Sequence, residues 1–116
     1  MNYVVIQKYR TNYPNPISLV QGQSFIIGDK YNGPEKWDNW YFCITVDKNS
    51  SGWVPAQLIQ WKGTEGIAKG NYTAKELNVD EDEHLVGLKE LNGWIWQRVL
   101  TLEKGWVPKE NVKLTI

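Results

Sequence analysis

Cysteine and histidine each occur once in this chain, at Cys43 and His84. A lone thiol excludes an intrachain disulfide and a cysteine-rich metal site. A lone imidazole leaves only single contacts for a histidine-based metal centre or acid–base pair. Cys43 and His84 make a poor nucleophile–base couple, because Cys43 stands inside an apolar run and His84 in the opposite half of the chain. Net charge is missing as well: 13 Lys and Arg balance 13 Asp and Glu, and each half of the chain is within one charge of neutral. That balance gives no electrostatic footprint for nucleic acid or an anionic membrane. No apolar run reaches the length of a signal h-region or a membrane span, so the expectation is a cytoplasmic protein. No stretch repeats apolar residues at three- and four-residue spacing, which argues against amphipathic helices. The ten glycines are scattered at turns and form no phosphate-binding loop. The acidic run Asp80-Glu81-Asp82-Glu83 lacks the ligand spacing and turn glycine of a Ca²⁺ loop and reads as a solvated turn. The expectation is a non-enzymatic chain with no metal and no cofactor.

Tryptophan is what the chain has in excess, seven residues alongside six tyrosines in 116. Two of the tryptophans lie in a repeated tetrapeptide, Gly52-Trp53-Val54-Pro55 and Gly105-Trp106-Val107-Pro108, fifty-three positions apart. The glycine permits a tight turn into a strand, and the proline, with no N–H to donate, ends ladder pairing. Repetition of so rare a tetrapeptide points to an internal duplication.

The segments between the landmarks read as strands and turns. Tyr3–Ile6, Ile17–Leu19, Phe25–Ile27 and Trp40–Val46 are β-rich, and Asp47–Gly52 is a hairpin turn ahead of Trp53-Val54. Residues 28–39 form a long polar loop. Residues 61–66 hold two glycines without periodicity and read as a joint, with Trp61 filling it. The same order then returns: Ile67-Ala68, Leu77–Val79, Leu85-Val86, the turn signal Asn92-Gly93, and a long strand from Trp94 to Leu100. The offsets shrink from 63 (Tyr9 to Tyr72) through 60 (Leu19 to Val79) and 54 (Trp40 to Trp94) to 53, and each deletion falls in a loop. The expected class is all-β, in two units at 1–60 and 67–116 with 61–66 as linker.

Order and spacing together resemble the SH3 domain, twice over. Ala68-Lys69-Gly70-Asn71-Tyr72 is similar to the family's Ala-Leu-Tyr-Asp-Tyr opening, and Glu76-Leu77-Asn78-Val79 to its Glu-Leu-Ser-Leu segment. Trp40-Tyr41 resembles the paired aromatics of the third strand, and Gly-Trp-Val-Pro-Ala the Gly-Tyr-Ile-Pro-Ser that opens the fifth. The short, Trp-rich tandem version looks like bacterial members. The resemblance implies two tandem five-stranded SH3-like barrels that bind a peptide or protein segment, Pro-rich in the orthodox case, in shallow aromatic grooves.

Carried over by position, the implied groove residues are Tyr9, Trp40 and Pro55 in the first copy and Tyr72, Trp94 and Pro108 in the second. Tyr13, Tyr31 and Trp37, which lie in the long loops of the first copy, are expected to extend that surface. The groove is incomplete: the opening motif's first Tyr is Gln7 or Gly70, and the last groove Tyr is Leu58 or Asn111. Trp53 and Trp106 are expected to be structural. At the position where the family places a small buried Ala, the copies carry Cys43 and Gln97. Gln97 is a poor core residue, which implies a bulge or an interface. Two rival readings remain, a module for cell-wall (peptidoglycan) peptides and a small nucleic-acid-binding barrel. The absence of a basic stripe disfavours the second.

Overall fold

A computed structural model describes residues 1–13, 15–33, 39–98 and 103–115. In chain order the strands are β1 (Asn2–Val5), β2 (Ser18–Leu19), β3 (Ser24–Lys30), β4 (Trp40–Thr45), β5 (Ser51–Pro55) and β6 (Ile59–Lys62). Then follow β7 (Glu65–Ala68), β8 (Tyr72–Thr73), β9 (His84–Leu91), β10 (Trp94–Arg98), β11 (Lys104–Pro108) and β12 (Val112–Leu114). Single 3-10 turns at Ala56–Leu58 and Lys109–Asn111 follow the two tetrapeptides. No α-helix occurs among the described residues, and the chain is all-β.

Two five-stranded sheets carry the structure, ordered β5-β4-β3-β7-β6 and β11-β10-β9-β1-β12. Position by position these are the same sheet, with one exception of origin. The fourth strand of each sheet comes from the other repeat: β7 completes the first repeat, and β1 completes the second. The chain accordingly divides into one compact unit of residues Asn15–Ala74 and another of Met1–Pro14 with Lys75–Ile116. The repeats at 1–60 and 67–116 therefore do not coincide with the compact units.

The cause lies in residues 61–66, which are not a linker. Lys62 pairs with Glu65 across a two-residue turn, Gly63-Thr64, so β6 and β7 form a tight hairpin. Gly63 has φ +65°, the glycine-first requirement of a type II′ hairpin. A two-residue connection can only fold the next strand back onto the previous one. The opening strand of the second repeat is thus held by the first, and the second repeat draws its own from Tyr3-Val4-Val5. Trp61 does not fill a joint; it is 51 % exposed, edge-on to Tyr41 with ring centroids 5.0 Å apart.

Identical turns confirm the equivalence of β7 and β1. Gln23 N–H donates to the Val20 carbonyl and Glu83 N–H to that of Asp80. Gly22 N–H donates to Ala68 O, and Asp82 N–H to Val5 O, both at 2.8 Å. The acidic run is thus an ordered turn: the Glu83 carboxylate accepts from Asp80 N–H, and Arg10 pairs with Asp80.

Each unit has its own core. In Asn15–Ala74 it gathers Ile17, Leu19, Phe25, Cys43, Val54, Ile59 and Ala68. In the other unit it gathers Val5, Leu77, Val79, Leu85, Ile95, Val107 and Val112. Val5, 1 % exposed, is supplied by β1; burial of such a side chain contributes roughly 1.5–3 kcal/mol. The tetrapeptide glycines serve packing rather than a turn, and neither has positive φ. A Cβ on Gly52 would sit 3.1 Å from Ile17 Cγ2 and Ala74 Cβ, and one on Gly105 would sit 2.9 Å from Leu77 Cγ.

Candidate functional site

Strand alternation sorts the tetrapeptides into two faces. Gly52 and Val54 point into the core with Tyr41 and Cys43, which leaves Trp53 and Pro55 on the outer face with Trp40 and Phe42. In the other unit Ile95 and Val107 are core, and Trp94, Trp96, Trp106 and Pro108 lie on the outer face. Each unit therefore carries a second aromatic layer outside its core.

In the Asn15–Ala74 unit this layer centres on Trp53. Phe42 lies directly across the ladder, 5.2 Å away at 75°, and Tyr31 closes from the end of β3, 5.2 Å away at 82°. These are edge-to-face contacts, each worth about 0.5–1.5 kcal/mol beyond the area they bury. The Tyr72 hydroxyl donates to the Trp53 carbonyl at 2.8 Å and fixes the strand that carries the indole. Tyr31, Phe42 and Trp53 are all partly exposed. Trp40 is 5 % exposed and Pro55 fully buried, so they support the layer more than they present surface.

In the second unit Tyr9 packs edge-on to Trp94, centroids 5.6 Å apart at 85°. The Tyr9 hydroxyl donates to Glu76 Oε1 at 2.6 Å. Burial pushes the Glu76 carboxyl above its ordinary value, against the lowering effect of hydrogen bonds from Tyr9 and Thr11. Trp106 is 3 % exposed, lies 5.3 Å from Trp96, and has the Lys89 Nζ 5.6 Å above its ring. Trp94, at 7 %, and Pro108 are buried too. The two layers share a plan but not an exposure: the first is open at Trp53, the second closed over Trp106.

The expected site residues are regrouped by this arrangement. Tyr9 joins Trp94 and Glu76, not Trp40, because β1 and the segment after it belong to the second repeat's sheet. Tyr72 joins Trp53 by the same exchange. Tyr13 is partly buried, its N–H bonded to Thr11 Oγ1 in the unit opposite to that of Tyr31. Trp37 lies outside the described residues, as does the end of the strand expected to run to Leu100. Trp53, expected to be structural, is partly exposed at the centre of its layer, whereas Trp40 is buried. The signal in the sequence was Phe42 across the strand pair and Tyr31 at the strand's end.

Cys43 offers no chemistry. It is 1 % exposed, and burial pushes its thiol up to about 12, so no thiolate forms near neutral pH.

A small all-β fold of two five-stranded sheets, each with an aromatic outer layer, defines the class of protein. The family model for the variant SH3 domain matches residues 2–60, about half of the chain, and the chain belongs to that family. Comparison with curated proteins and with solved structures gives no match. SH3 domains are in general non-catalytic modules that engage protein or peptide segments. The matched stretch follows the repeat and not the compact unit: it begins with β1, whose partners are β9 and β12.

Proposed function

We propose that the chain is a peptide-binding protein built as two SH3-like modules in tandem, with their opening strands exchanged. The working surface is the outer layer of the Asn15–Ala74 unit. The observation that carries this reading is the Tyr31–Trp53–Phe42 group, three aromatic rings held edge to face outside the core and partly exposed. Rigid aromatics of this kind bind with little loss of side-chain entropy and suit the preformed polyproline helix of a Pro-rich segment. The second unit's layer, closed by Lys89 over Trp106, serves mainly as structure.

Titration of the labelled chain with Pro-rich peptides, followed by NMR, tests this reading. The Trp53 indole and Tyr31 should shift, and Trp53→Ala should weaken binding at least tenfold with the fold retained. Cell-wall peptides and oligonucleotides are the control arms. Shifts confined to Tyr9 and Trp94, or a response to the control ligands alone, would reject the assignment.

A further inference from the structure

We propose that the slot between β9 and β12 accepts the arm of residues 1–13 from a second copy of this chain as well as from its own, so that chains associate by trading this arm. The inference is independent of which ligand the aromatic layer takes. In its slot the arm is an interior strand, paired with β9 on one side and β12 on the other. Asn111 Nδ2 donates to both Gln7 O, at 3.0 Å, and Lys8 O, at 3.2 Å, and Tyr9 bonds Glu76. The arm holds its unit by these noncovalent contacts, while the chain continues from it directly into the other compact unit. An identical arm from another molecule makes the same contacts, which is the basis of exchange between protomers. An empty slot leaves two strand edges unpaired, and such edges recruit a strand.

The fit is specific. A Cβ on Gly87 would overlap the ring of Tyr3, so the tyrosine occupies space that only glycine leaves. The other unit reverses the sizes. There Gly66 stands at the place of Tyr3, and a Cβ on it would meet the Phe25 ring at 2.7 Å and Ile27 Cδ1 at 3.1 Å. Ile27, opposite Cys43, stands at the place of Gly87, opposite Gln97. The Tyr3 arm therefore suits the Gly87 slot and would collide with Phe25 and Ile27 in the other. The equivalent strand β7 is tied to β6 by the Gly63-Thr64 hairpin, whereas both partners of β1 are distant in sequence. Of the two exchanged strands, β1 is the one able to leave.

Three full-length variants test the proposal. Gly87→Ile fills the slot against its own arm, Tyr3→Gly leaves the slot underfilled, and the double variant copies the size pattern of the other unit. Each single variant should lose urea resistance, and the double variant should regain most of it as a monomer. The two single variants, unfolded and refolded together at equal concentration, should yield a species of twice the monomer mass with one chain of each kind and restored resistance. The parent chain should likewise form dimers when refolded at high concentration. A Gly87→Ile chain as stable as the parent, or a double variant no better than the singles, would overturn the Tyr3–Gly87 fit. Recovery in the double variant with only weakened monomers in the mixture would overturn exchange between molecules.

Discussion

Cys43 and Gln97 occupy the same place in the two sheets, each facing the tetrapeptide glycine across the ladder. The thiol suits that place, since a buried cysteine behaves as a small apolar side chain. Gln97 is 0 % exposed, and neither its Oε1 nor its Nε2 has a hydrogen-bond partner. Its backbone follows a register shift between Trp96 and Gln97, but the first sheet has a shift at the matching place, between Ile27 and Lys30. A bulge in one copy alone therefore does not explain the residue. Leaving a buried amide unsatisfied costs about 1–3 kcal/mol. Gln97→Met, close in shape and without the polar atoms, should raise the urea midpoint, with a gain in unfolding free energy of about 1–3 kcal/mol. An unchanged or lower midpoint would mean that the amide finds a partner in solution.

At the level of elements, the turns are where sequence alone was most and least informative. Asn92-Gly93 was readable because a two-residue type I′ turn requires positive φ twice, and the two residues have φ +48° and +86°. The strands starting at Trp40 and Trp94 were readable from their β-branched and aromatic content. The turn Gly63-Thr64 was misread, because glycine there signals equally a loose joint and a tight hairpin. The discriminating feature was the opposite charge of Lys62 and Glu65 at its base. The tetrapeptide glycines failed differently: their reason is the crowding of Ile17, Ala74 and Leu77, which are remote in sequence. Turn chemistry also yields a test. Asp82, exposed, has φ +68° where the matching residue of the other unit is Gly22. The left-handed region costs a non-glycine residue about 1 kcal/mol, so Asp82→Gly should stabilise the chain by roughly that amount in chemical denaturation.

On the scale of the whole molecule, the sequence shows a repeated pattern, and the three-dimensional pairing assigns its strands otherwise than by repeat. Loop-length bookkeeping could align Tyr9 with Tyr72, but it could not show that Tyr9 packs on Trp94. Pairing across many residues depends on size complementarity such as Tyr3 with Gly87, which no local pattern encodes. The division into units predicts how fragments behave. Residues 15–74 contain every strand of one sheet, β3 through β7. Expressed alone, that stretch should give a dispersed NMR spectrum and a cooperative unfolding transition. Residues 2–60 include β1 but lack β7, and should give a collapsed spectrum or an oligomer at the same concentration.

The crossing of strands also bears on how such a gene can change. A recombination that transplants either repeat by itself delivers an open sheet, not the closed barrel expected, that is missing an inner strand and carries one shaped for a different place. The two halves are therefore inherited as a matched set, and a substitution at Gly66 or Gly87 is answerable to a neighbour encoded in the opposite half of the reading frame.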